Sequence, residues 1–102
     1  MGQQEILGCI SLWNFSKDRE IVEVGYELSQ HMQSKGLMTE ALEVVTDFAF
    51  DDLRVNCVEA FTHRDNIASR KLLEKNLFQL AEDREDKSNE NNVIYQRYIS
   101  NP

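Results

Sequence analysis

Positive charge is scarce in this sequence. Its 102 residues carry 11 Lys and Arg against 18 Asp and Glu, a formal net charge of −7. So few cations release few counterions from a phosphate backbone, which argues against non-specific nucleic-acid binding. They also give little hold on an anionic membrane surface. Cysteine is nearly absent. Cys9 and Cys57 are too few for a disulfide framework, and each lies in an apolar run, where a free thiol behaves as a small hydrophobe. There is no CxxC pair and no pair of histidines four apart, so no metal site is expected. No apolar run approaches the roughly 18 residues of a membrane span. The opening Met1-Gly2-Gln3-Gln4-Glu5 lacks the basic start and apolar stretch of a secretory signal. A reducing cytoplasm is the expected compartment.

What remains is ordinary for a globular chain: 41% of residues are hydrophobic and 28% charged. The length leads us to expect one domain, residues 1–102. Ile6 to Trp13 is apolar on both faces, the pattern of a central strand. A polar turn, Asn14 to Arg19, leads to a second strand, Glu20 to Leu28, so the two form an antiparallel hairpin. Gly25 inside that strand suggests a bulge or the close approach of another group. From Lys35 a helix follows, with Leu37, Ala41, Leu42, Val45, Phe48 and Ala49 on one stripe and an end at Asp51-Asp52. Its length suits a right-handed crossover to a parallel strand, Arg54 to Thr62. Asp65 or Asn66 can cap a second helix running to about Lys75. Phe78 to Leu80 is a short strand, Ala81 to Asn92 has the composition of a mobile polar loop, and Val93 to Ile99 is the last strand. The expected fold class is α/β (α+β): a mixed, mostly antiparallel sheet with two helices, in the order β-β-α-β-α-β-β.

Chemistry concentrates after the second strand, at His31-Met32-Gln33-Ser34-Lys35-Gly36-Leu37-Met38-Thr39-Glu40-Ala41. A strand end passes through small residues into a helix, whose first turn presents unpaired N–H groups and the positive end of the helix dipole. Ser34 and Gly36 have little bulk, and Lys35 adds a cation, so a diphosphate can approach. An ordinary capped helix start has the same features.

Two stretches carry a wider resemblance. Gly25-Tyr26-Glu27-Leu28 followed by Ser34-Lys35-Gly36-Leu37-Met38-Thr39-Glu40-Ala41-Leu42 resembles the acetyl-CoA segment of GCN5-related N-acetyltransferases. It is most similar to the branch that acetylates ribosomal-protein N-termini. Val58-Glu59-Ala60, then Asn66-Ile67-Ala68-Ser69, then Leu73-Glu74-Lys75-Asn76-Leu77-Phe78 is similar to the second family motif. The likeness spans about Ile6 to Ile99. It implies an N-acetyltransferase that uses acetyl-CoA as co-substrate and acts on a primary amine of a small molecule or peptide.

The resemblance also implies roles. The second and third strands run parallel and splay apart. Pantetheine enters the splay and pairs with the backbone of Tyr26, Glu27, Leu28 and Ser29. The pyrophosphate rests on N–H groups of Gln33, Ser34, Lys35, Gly36, Leu37 and Met38, and Asn66 contacts the CoA arm. Glu23, two residues before Gly25, is the candidate base, with Glu20 behind it. Many relatives carry a tyrosine acid on the second helix. Leu73 stands at that position here, so Ser69 becomes the candidate acid. His31 and His63 read as surface residues.

Three positions depart from the family pattern: Ser34 for the first motif glycine, His31 for Arg or Gln, and Leu77 for the glycine before Phe78. The family domain also begins with two further strands and one or two helices, whereas Met1 to Glu5 alone precede Ile6. On that comparison the chain looks N-terminally truncated, and Ile6 to Trp13 becomes an exposed apolar edge expected to be covered by self-association as a homo-oligomer. Three readings stand side by side: a catalytic acetyltransferase, a catalytically weak or inactive CoA-binding module, and a small self-associating interaction protein.

Overall fold

A computed structural model describes residues 8–28 and 37–99. The element order is β1 (Gly8–Trp13), β2 (Ile21–Leu28), α1 (Leu37–Asp51), β3 (Cys57–His63), α2 (Ile67–Lys75), β4 (Gln79–Leu80) and β5 (Asn92–Tyr98). The order agrees with the sequence-based expectation. The five strands form one sheet in the order β1-β2-β3-β5-β4. Only β2 and β3 are parallel; the other three pairings are antiparallel.

Strand alternation sorts the sheet residues onto two faces. Val22 and Val24 of β2 and Val58 and Ala60 of β3 face the helices, and with Leu42 and Ala49 of α1, Leu73 of α2 and Tyr95 of β5 they make one core. The helical stripe is rotated from the expected one. Phe48 is 48% exposed, while Thr46 and Phe50 are buried. Thr46 tolerates this because its hydroxyl donates to the Leu42 carbonyl at 2.6 Å and so is not left unpaired. At the end of α2, Leu77 adopts φ 71°, the left-handed region that favours the glycine it replaces.

Among the described strands β1 lies at the edge of the sheet. Its apolar pattern suggests burial on both faces, yet among the described residues its one neighbour is β2, and Trp13 is 53% exposed. Gly25 is explained by a close approach rather than a bulge. The β1–β2 register runs unbroken from Gly8↔Leu28 to Trp13↔Glu23, and a Cβ at Gly25 would lie 3.3 Å from the Trp13 indole nitrogen.

The face away from the helices is crossed by the segment before β5. Arg84 grips buried Glu59 through two hydrogen bonds of 2.8 and 3.0 Å, and Gln96 donates a third at 2.6 Å. Asp86 accepts from the Ser88 hydroxyl at 2.7 Å and from Asn92 at 2.9 Å. The charge run that composition assigns to a mobile loop is therefore pinned at both halves.

Candidate active site

The parallel register of β2 and β3 holds for three pairs, Ile21↔Cys57, Val22↔Val58 and Glu23↔Glu59, and then stops. Beyond it β2 continues to Leu28 and β3 to His63, with no ladder between them. The splay expected from the family resemblance is present. A cavity of about 600 Å³ occupies the opening. It is lined from the helix side by Val24, Tyr26, Thr62 and Ser69 and from the other side by Gly25 and Phe61, so it passes through the sheet. Met38 and Thr39, in the first turn of α1, complete one wall.

Of the residues singled out from the sequence, the fold brings Tyr26, Met38, Asn66 and Ser69 together on this cavity. Glu27 and Leu28 continue β2, and Leu37 opens α1. Ser29, Gln33, Ser34, Lys35 and Gly36 lie outside the described residues, as does His31. Asn66 is the N-cap of α2, its side-chain oxygen accepting the Ser69 N–H at 3.1 Å.

Glu23 lies beside the cavity and not in its wall. It closes the ladder on the face shared by Gly25 and Phe61, half-buried. Asn14 donates to its carboxylate at 3.1 Å. Asn14 sits at φ 56°, a conformation that asparagine accepts more readily than most residues. Burial pushes the Glu23 carboxyl above its ordinary range, the Asn14 hydrogen bond opposes this, and the negative charges of Glu59 and Asp86 add to it. Glu20 is engaged elsewhere, accepting from the Asn56 amide at 2.7 Å.

Several features escape sequence reasoning. The Tyr26 and Ser69 hydroxyls lie 2.6 Å apart, joining β2 to α2. His63 is exposed, as its reading as a surface residue expects, and it also lines the cavity. Its Nδ1 accepts the Asp65 N–H at 3.0 Å, so the neutral ring carries its proton on Nε2. Alternation past the end of the β2–β3 ladder was the available signal for Phe61 and His63. Leu73 is fully buried in the core. Among the described residues no three His, Cys, Asp or Glu side chains converge on a metal position, and no helix there is long and apolar enough to cross a membrane.

A mixed sheet whose one parallel pair opens around a cavity beside a helix start defines an α/β domain of the split-strand kind. Residues 1–79 match the model of the acetyltransferase (GNAT) domain, and the chain belongs to that family. It is 34% identical over 71 residues to "Probable N-acetyltransferase YjcK" of Bacillus subtilis, an alignment covering 69% of this chain and 39% of that protein. In fold it is similar to the ribosomal-protein-S5-alanine acetyltransferase of Vibrio fischeri (TM-score 0.75, 23% identity, 92% of this chain and 55% of that one). The N-acetyltransferase PseH of Campylobacter jejuni, solved in complex with acetyl coenzyme A, is a further neighbour (TM-score 0.73, 23% identity, 98% and 64%). The chain thus spans about two-fifths of the length of YjcK.

Proposed function

We propose that this chain is the acyl-CoA-binding part of an N-acetyltransferase, residues 1–102 acting as one partial domain that carries acetyl from acetyl-CoA to a primary amine. The observation that carries the reading is the end of the β2–β3 ladder at Glu23↔Glu59 with a cavity through the opening. The backbone of Tyr26, Glu27 and Leu28 on the side facing β3, together with that of Ser29, pairs with pantetheine as an added strand does. Gln33 to Met38 hold the pyrophosphate at the start of α1, and the Asn66 amide contacts the CoA arm. The amine arrives on the face of Glu23, which removes its proton directly or through water. Attack on the thioester carbon breaks the C–S bond, backbone N–H groups near Gly25 steady the oxyanion, and Ser69 protonates the departing sulfur. The motif likeness favours a protein or peptide N-terminal amine in a reducing cytoplasm.

Calorimetric titration with acetyl-CoA is expected to give saturable binding near one molecule per chain. Gly36→Glu, which sets bulk and negative charge at the phosphate cradle, is expected to abolish it. Absence of saturation at millimolar acetyl-CoA removes the catalytic reading and leaves a structural module. Binding that survives Gly36→Glu removes the placement of the phosphates.

The edge position of β1 supports a second property. Its outer side has no partner strand among the described residues, and such an edge templates pairing with another chain. Pairing of the Ile6–Trp13 edge with a second copy is expected to give a dimer in gel filtration at micromolar concentration; a monomer there ends this proposal.

A further inference from the structure

The acid that serves a departing thiolate must itself be a plausible proton donor. A serine hydroxyl alone is a weak one, since an alkoxide left behind is costly. In this fold Ser69 is not alone. Tyr26 approaches it from β2 with a hydroxyl–hydroxyl distance of 2.6 Å, and both residues line the cavity through the sheet. Either oxygen could donate by geometry, but chemistry chooses the direction. A phenol, ordinarily near pKa 10, is far more acidic than an aliphatic alcohol, so the Tyr26 O–H donates and the Ser69 oxygen accepts. That leaves the Ser69 proton free to turn toward a third atom in the cavity. Burial, opposed by the Ser69 hydrogen bond, pushes the Tyr26 phenol above its ordinary range, so it stays protonated at neutral pH. The neighbouring Tyr95 acts in the same sense, and Tyr95 is itself tied to Arg70 at 3.0 Å and Glu74 at 2.8 Å. The other titratable group on the cavity, His63, has its Nδ1 occupied by the Asp65 N–H and its ring proton on Nε2.

We propose that Tyr26 and Ser69 form a two-hydroxyl relay in which Tyr26 is the positioning residue and proton reserve for the thiolate leaving from acetyl-CoA. This deepens the acyl-CoA reading and rests on it. As the C–S bond breaks, its electron pair goes to sulfur. Sulfur takes the Ser69 proton, and Ser69 takes the Tyr26 proton. The phenolate recovers a proton from solvent after the thiol departs. Position 73, where many relatives carry an acid, is a buried leucine here, so no other hydroxyl on α2 competes: Ser69 is the one hydroxyl residue between Ile67 and Lys75.

The test needs no knowledge of the amine. Free CoA has an ionisable sulfur; an S-methyl thioether of CoA does not. The ratio of their affinities as a function of pH therefore reports the stabilisation of the bound thiolate, while protein and phosphate titrations cancel. For the native chain, calorimetry is expected to show CoA gaining about tenfold over the thioether between pH 7 and 9.5, the scale of one hydrogen bond to a charged atom. In Tyr26→Phe, which keeps the ring and its packing, and in Ser69→Ala, the ratio is expected to stay flat with pH. A rise in Tyr26→Phe equal to the native one overturns the relay and leaves CoA binding intact. A native chain that binds neither ligand overturns the acyl-CoA reading, and the relay with it.

Discussion

Glu23→Gln is expected to lower acetyl transfer by about a hundredfold to ten-thousandfold, the range for loss of a positioned general base, with little change in acetyl-CoA binding. The assay is transfer to the best acceptor among a panel of peptides with free N-termini. Glutamine keeps the shape and the Asn14 contact but cannot take a proton. The pH dependence gives the sharper reading. Burial, with help from Glu59 and Asp86, raises the Glu23 carboxyl, and a base works only when ionised. The rate therefore falls as pH drops through a midpoint above the ordinary carboxylate range. Asn14→Ala removes the contact that opposes the shift, so its acid limb moves to higher pH. The same raised carboxyl means that folding favours the protonated form. Its contribution to stability is lost as pH rises through the folded midpoint, and Glu23→Gln is not weakened at neutral pH. A Gln variant with the native rate and the native acid limb excludes Glu23 as the base.

Arg84→Ala is expected to destabilise the fold by about 2–3 kcal/mol in urea unfolding. Removing one partner of a buried ion pair typically costs about 3–5 kcal/mol. The figure is discounted here because the Arg84 side chain is 44% exposed and water can partly replace it. Glu59, 5% exposed at its side chain, keeps Gln96 but loses its countercharge. The double variant Arg84→Ala with Glu59→Gln is expected to recover much of the loss, because no charge is then stranded. Equal losses in the single and double variants would mean that Arg84 acts by packing its stem and not by neutralising Glu59.

The element order was legible because it rests on local signals. Leu42 and Ala49 fall at helical spacing, and Asn66 caps α2 as its residue type suggests. The proposed phosphate segment, small residues before a helix, lies outside the described residues up to Gly36. What escaped depends on distant neighbours. Phe48 and Phe50 differ by two positions, and only the placement of α1 on the sheet decides which one is covered. Nothing local marks Glu59 as buried; Arg84, 25 residues on, crosses the sheet to meet it. Tyr26 and Ser69 are 43 residues apart, and nothing local to either names the other. β1 looks central because apolar side chains record a tendency to be covered, not the element that covers them.

The early end of the β2–β3 ladder has a consequence for how the chain keeps its shape. Past Glu23 and Glu59, neighbouring strands of one sheet face each other without exchanging hydrogen bonds. On the proposed reading, a strand-like ligand seated there supplies donors and acceptors to the open side of β2. Folding and occupancy then become two readings of a single equilibrium, and stability grows with the logarithm of ligand concentration, about 2.7 kcal/mol at a hundred times the dissociation constant. If the proposed acyl-CoA site is right, such a domain is firmest where acyl-CoA is plentiful and easiest to unfold or degrade where it is scarce.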